Sequence, residues 1–306
     1  MIDVTLALLL LGPPGRQSVG LQRPELICFD CGPQREDLGM TNEHECSVNG
    51  TTIHYRIDGT GDGPVLMLSN SLASNLHMWN MQVEPLEMEG FRVLRYDSRG
   101  HGRSGVPAGP YTIETLADDA VGLLDHLGIE KVHFCGLSKG GMVGQMLGAR
   151  HADRLITLTI ADSAAQLGTA DTWNDRITLA REGGMESVVD STIERWFTPH
   201  GQERIPAEVE EVRGMILSTP VEGFAACCGA IRDMDLRESN KQIRTPTLVI
   251  VGDKDPSTTP THAREIADAV RGAKVEIIPD AMHLSNIEQP VAFTNALLDH
   301  VMPHSG

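Results

Sequence analysis

The sequence predicts an α/β protein: an eight-stranded, mostly parallel sheet flanked by helices, with a helical cap inserted between strands 6 and 7. Three observations predict it. Short apolar runs alternate with helix-period segments from about Met40 to the C-terminus. One run, Lys131-Val132-His133-Phe134-Cys135, passes through Gly136-Leu137-Ser138-Lys139-Gly140-Gly141 straight into a helical segment. An acidic residue and then a histidine follow in loops after two late strands, at Asp255 and His283. A chain of 306 residues with 41% apolar content is long enough to bury one large core.

Taken in order, Cys46-Ser47-Val48 and Thr51 to Ile57 flank Asn49-Gly50, whose left-handed preference marks a hairpin. Six further strands are expected at Val65 to Ser69, Phe91 to Tyr96, Val132 to Cys135, Leu155 to Ile160, Thr247 to Val251 and Val275 to Ile278. Helical connections between them imply parallel crossovers. Ile113, Leu116, Ala117, Ala120, Val121, Leu124 and Leu127 recur at helical spacing, so that helix lays one face on the sheet. From about Ala165 to Glu238 the alternation stops and helix-like patterns take over, carrying two of the three tryptophans and several arginines. The organisation expected is an extension at 1–39, a core at 40–164 and 239–306, and a cap at 165–238. The extension is rich in Gly, Pro and charge without a period. Its apolar Leu6 to Leu11 follows Asp3 rather than a basic start, against a secretory signal. It is expected to be disordered, with Met40 as the natural beginning of the domain.

Strand, G-x-S-x-G, then helix is a nucleophile elbow, a strained turn that lifts a serine hydroxyl above the sheet. The glycines are needed because side chains there would collide with the adjoining strand and helix. Such a serine requires a base and an orienting acid. Asp255 lies three residues past the strand-closing Gly252 and is stiffened by Pro256, whereas Asp253 is placed to cap the turn or meet solvent. His283 supplies the base, and His101, in the Gly-rich loop Asp97 to Ser104, is read as structural. The order Ser138, Asp255, His283 is that of the α/β-hydrolase fold. The oxyanion hole is expected from the amides of Leu72, in the loop after Val65 to Ser69, and of Lys139, after the nucleophile.

Asn70-Ser71-Leu72 with Met78-Trp79, the segment Arg95 to Ser104, the elbow, and Arg195-Trp196-Phe197 together resemble the 3-oxoadipate enol-lactonases of the β-ketoadipate pathway. The resemblance runs from about Met40 onward. It implies hydrolysis of a small anionic enol lactone in aromatic-compound catabolism, in the cytoplasm, without a cofactor. Those enzymes usually carry methionine after the nucleophile. Here it is Lys139, whose side chain either attracts an anionic substrate at the pocket mouth or runs along the helix into solvent. Ser71, Trp173, Arg195 and Trp196 are the candidate substrate contacts, with a cap arginine meeting the carboxylate. Met142 and Met146 are read as helix packing. A carboxylesterase or cofactor-free perhydrolase of haloperoxidase type is the alternative on this scaffold. A retired, non-enzymatic relative is disfavoured because all three triad residues are kept.

A net charge of −17 disfavours nucleic acid, whose affinity comes from phosphate neutralisation, but leaves room for a local cationic patch. No apolar run approaches the ~18 residues of a membrane span, so no membrane partner is expected, while a homo-oligomer is open. Cys28 and Cys31 have metal-pair spacing but lack a second pair, so no metal is expected, and the six cysteines suggest reduced thiols.

Overall fold

The computed structural model describes residues 43–305; the extension expected at 1–39 and the Cys28/Cys31 pair lie outside the described residues. The strands are β1 Glu43–Val48, β2 Thr51–Asp58, β3 Val65–Ser69, β4 Arg92–Tyr96, β5 Val132–Leu137, β6 Leu155–Ala161, β7 Thr247–Gly252 and β8 Lys274–Ile278. They form one sheet in the order β1-β2-β4-β3-β5-β6-β7-β8. β2 pairs antiparallel with both β1 and β4, and every pairing from β4 to β8 is parallel. The eight strands and the six-strand parallel portion match the sequence reading, with ends shifted by one or a few residues.

The parallel strands read as unbroken apolar runs because both faces are covered; β3, β5 and β7 are buried along their whole length. The helices begin with α1 Asn80–Met88, α2 Ile113–Leu127 and α3 Lys139–Arg150. Between β6 and β7 come α4 Ala170–Gly183, α5 Glu186–Trp196, α6 Pro199–Arg204, α7 Pro206–Ser218, α8 Val221–Asp233 and α9 Arg237–Asn240. The chain closes with α10 Pro260–Ala269, α11 Ser285–Glu288 and α12 Pro290–Val301. α1, α11 and α12 pack together in one layer, and α2, α3, α9 and α10 are joined through their contacts in the other. The insert after β6 is helical, as expected for a cap. No single helix among the described residues is long and apolar enough to cross a membrane.

α2 shows how sequence becomes packing. The Thr112 hydroxyl accepts from the Thr115 amide at its start, and Gly128 ends it in the left-handed region at φ 66°. Ile113, Leu116, Ala117, Ala120, Leu123 and Leu124 are buried, and each large one contributes about 2 kcal/mol of apolar burial. Val121 and Leu127 pack only at the margin, and Leu123 takes the central place instead. Five of the seven residues expected on this face, Ile113, Leu116, Ala117, Ala120 and Leu124, are buried as the spacing predicts, and the differences among its apolar residues are confined to Val121, Leu123 and Leu127.

Candidate active site

β5 and α3 meet at Ser138, whose backbone is held at φ 57°, ψ −113°, an uncommon conformation for a residue with a Cβ. Close packing enforces it. A Cβ on Gly136 would lie 2.1 Å from the Gly140 carbonyl oxygen, and one on Gly140 would lie 2.2 Å from that of Ser69. Both collisions are with backbone, which cannot swing aside. The Ser138 amide donates to the Ala161 carbonyl at 2.8 Å, and the Ser163 hydroxyl donates to the Ser138 carbonyl at 2.8 Å. The turn is thereby tied to the end of β6.

Residues from three strand ends converge here. His283 Nε2 is 2.9 Å from Ser138 Oγ, and His283 Nδ1 is 2.8 Å from Asp255 Oδ2. Asp255 also accepts from the amides of Ser257 and Thr258 at 2.7 and 3.1 Å, and from the Thr258 hydroxyl at 2.6 Å. Burial pushes the Asp255 carboxyl up, but the neighbouring His283 and the Thr258 hydrogen bonds outweigh it and hold the group below its ordinary range. A carboxylate can only accept, so Nδ1 carries the proton and Nε2 is left to accept from the serine hydroxyl. Asp253 turns away and accepts from the Ala281 amide at 3.3 Å, a role within the turn.

Three further groups that the sequence reading did not single out support this geometry. Asp162, at the end of β6, accepts from the Gly252 amide at 2.8 Å and the Ser285 hydroxyl at 2.5 Å. Burial first, and then Asp255, push its carboxyl well above the ordinary value. Glu288 accepts from the Met282 amide at 2.8 Å and the Thr198 amide at 2.9 Å, joining the histidine loop to the insert. Thr258 is the third. A lone acid after a strand or in a short helix carries no periodicity or motif, so nothing local marked them.

The Leu72 amide has no hydrogen-bond acceptor among the described residues, while its neighbours do: Ser71 N–H meets Met78 Sδ and Ala73 N–H meets His101 Nε2 at 3.0 Å. Lys139 is the first residue of α3, where helix amides have no intrahelical acceptor. Both are free for an oxyanion. His101 is fully buried; burial and then Lys139 push its imidazole well below the ordinary value, so it serves as a neutral acceptor that holds the loop.

The Lys139 side chain takes neither of its expected paths. It is fully buried, and its Nζ donates to Ser98 Oγ at 2.7 Å. The first turn of α3 faces the loop after β4, which leaves this side chain no route to solvent or to the pocket mouth.

The pocket above Ser138 and His283 is floored by Ser71, Leu72 and Met142 and roofed by Trp173, Arg176, Arg195 and Trp196. All four candidate contacts of the sequence reading line it, and so does Arg176. Met142, read as packing, lines the pocket too, because α3 runs directly beneath it; Met146, one turn on, is in the core. The Trp196 ring lies 6.0 Å from the His283 ring. Arg176 stacks over Trp173 and Phe224, each at 5.6 Å, and burial lowers its pKa to about 10. Arg176 and Arg195 both donate to Thr192 Oγ1, at 3.3 and 3.4 Å. Neither forms an ion pair with a carboxylate among the described residues, in contrast with Arg181, Arg213 and Arg232 nearby. The cleft beside β8 and α12 is lined by none of the three triad residues. No group of three metal-ligating side chains occurs among the described residues.

Residues 64–290 match a family described as alpha/beta hydrolase fold. The chain is 39% identical to 3-oxoadipate enol-lactonase 2 of Acinetobacter baylyi over 251 residues, covering 82% of this chain and 93% of that one. Among solved structures it is similar to the enol-lactonase from Burkholderia xenovorans, at 45% identity and TM-score 0.83, covering 85% of this chain and all of that one. A thermophilic esterase from Thermogutta terrifontis is 30% identical, with TM-score 0.79, over 87% of this chain and 100% of the esterase.

Proposed function

The chain belongs to the α/β-hydrolase family and hydrolyses a carboxylic ester or lactone bond, and we propose that its substrate is 3-oxoadipate enol-lactone, opened to 3-oxoadipate in aromatic-compound catabolism. The observation that carries this reading is the pair of arginines without carboxylate partners, Arg176 and Arg195, in the same pocket as Ser138 and His283. A partly buried cation without a counter-ion loses hydration that nothing on the chain replaces. A substrate carboxylate offsets that loss and is held by guanidinium groups carried on α4 and α5.

The distances support the following steps. Ser138 Oγ attacks the lactone carbonyl as His283 Nε2 takes its proton, and Asp255 stabilises the imidazolium on Nδ1. The amides of Leu72 and Lys139 receive the oxyanion. Collapse of the tetrahedral species breaks the ring C–O bond and releases an enolate, which leaves more readily than an alkoxide and becomes the ketone when its carbon takes up the proton held by His283, directly or through water, leaving the imidazole neutral. Water, losing its proton to His283, then attacks the acyl carbon and returns Ser138 to its starting state. No step needs a metal or an organic cofactor.

Purified protein should consume 3-oxoadipate enol-lactone with a kcat/KM well above that for neutral aryl esters. Ser138→Ala should reduce turnover by at least about three orders of magnitude. Arg176→Met and Arg195→Met should each raise KM for the lactone while leaving aryl-ester KM little changed. Faster turnover of neutral aryl esters than of the lactone would assign the site to a carboxylesterase.

A further inference from the structure

The two amides placed to receive the oxyanion sit on different elements, Leu72 on the loop after β3 and Lys139 at the start of α3, and a single chain of buried hydrogen bonds joins them. Lys139 Nζ donates to Ser98 Oγ at 2.7 Å. Ser98 Oγ donates to Asn70 Oδ1 at 3.0 Å. Asn70 Nδ2 donates to the carbonyls of Ser74 at 2.8 Å and Ser71 at 3.3 Å, the two ends of the turn that presents the Leu72 amide. Lys139 and Asn70 have no exposed surface, and Ser98 is 3% exposed.

The directions of these bonds are forced. The two carbonyls can only accept, so the Asn70 amide nitrogen faces them and its oxygen faces Ser98. Ser98 must then give its one proton to that oxygen, and its lone pair is open to a donor. Lys139 is that donor, whether its nitrogen is charged or neutral. A thioether at position 139 could fill the space but could not donate. Burying an amino group is costly unless it is hydrogen-bonded, and the bond made here leads only to the turn around Leu72.

We infer that Lys139 is a positioning residue for the oxyanion hole: its side chain, acting through Ser98 and Asn70, sets where the Leu72 amide points relative to the amide of Lys139 itself. This rests on the serine-hydrolase reading but not on the identity of the lactone.

The test uses p-nitrophenyl acetate as a neutral substrate and an aryl trifluoromethyl ketone, whose serine adduct carries the oxyanion. Lys139→Met should lower kcat about tenfold, less than outright loss of an oxyanion donor, with KM changed by less than about twofold, as expected for an interaction made in the transition state. Ketone affinity should fall by a similar factor. Ser98→Ala should reproduce both effects, and the double variant should be no worse than the more affected single, because each breaks the same chain. An unchanged kcat, an unchanged ketone affinity, or losses that multiply in the double variant would each overturn the inference. If Lys139→Met fails to fold, Ser98→Ala decides by the same two readouts. Ser138→Ala on the same ester reads the underlying premise separately: retained activity there would sink the serine reading and this inference with it, whereas loss of activity there with no effect of Lys139→Met or Ser98→Ala would sink this inference alone.

Discussion

Asp253 and Asp255 leave the same strand two residues apart, and their surroundings divide their roles. Asp255 accepts three hydrogen bonds besides its contact with His283 Nδ1: from the amides of Ser257 and Thr258 and from the Thr258 hydroxyl. Asp253 meets one backbone amide at 3.3 Å. Asp255→Asn should therefore lower kcat by about 10⁴, because an amide can donate to Nδ1 and so stabilise the wrong tautomer. Asp253→Asn should stay within about threefold of the parent, as for a substitution away from the reacting groups. Steady-state kinetics of the two variants on one substrate checks this, and the reverse ranking would transfer the orienting role to Asp253. At the same scale, the proposed mechanism has Lys139 serve two ways: its backbone amide receives the oxyanion, and its buried side chain donates to Ser98 in the scaffold behind.

At the scale of elements, the elbow is a contact between the N-terminus of α3 and the ends of β3 and β5. Gly140 and Gly144 lie one turn apart on α3 and differ in what an added methyl would meet. At Gly140 it would lie 2.2 Å from the Ser69 carbonyl oxygen, a backbone atom of the neighbouring strand. At Gly144 it would lie 3.0 Å from the side chains of Leu158 and Phe134, which can shift. Gly140→Ala should cost about 3 kcal/mol or more by pushing helix from sheet, in the upper part of the overpacking range. Gly144→Ala should cost about 1 kcal/mol or less, since the gain in helix propensity offsets part of the crowding. Urea unfolding midpoints of the two variants measure the difference, and equal midpoints would mean that the α3–β3 contact yields more easily than its backbone packing implies.

For the whole molecule, buried imidazoles make stability depend on pH. Burial, followed by the charges of His304 and His300, lowers the pKa of His133 to about 4, and burial followed by Lys139 sets His101 well below its ordinary value of 6.5. Below pH 6.5 the unfolded chain binds protons that the folded chain refuses, so stability rises with pH across this window. The contribution of His133 is fully present above pH 6.5 and is lost as pH falls through about 4; that of His101 has the same sign and is likewise lost below pH 6.5. Urea midpoints at pH 7.5, 5.5 and 4.5 should decline in that order, and His133→Asn should show a shallower decline than the parent. A parallel decline in the two proteins would place the acid sensitivity elsewhere.

Much of the architecture was legible in the sequence because it rests on local chemistry. Apolar runs of strand length, the Asn49-Gly50 turn and the helix spacing of α2 each report a physical preference of consecutive residues, and so does the Gly136-x-Ser138-x-Gly140 elbow. The order Ser138, Asp255, His283 was legible for a related reason: parallel strands with crossovers bring their C-terminal ends to one edge, so loops far apart in sequence meet there. Tertiary structure alone decided what depends on which surfaces face each other. Arg176 joins Arg195 in the pocket because α4 and α5 pack so that both guanidiniums reach Thr192. Met142 becomes pocket floor because α3 runs under the site. Asp162 and Glu288 act as buried acceptors between segments up to 123 residues apart. Lys139, read as a surface cation, is enclosed by the loop after β4. A charged residue type predicts solvent on average, but burial is a property of the neighbours that the fold brings in, and no local pattern encodes those neighbours.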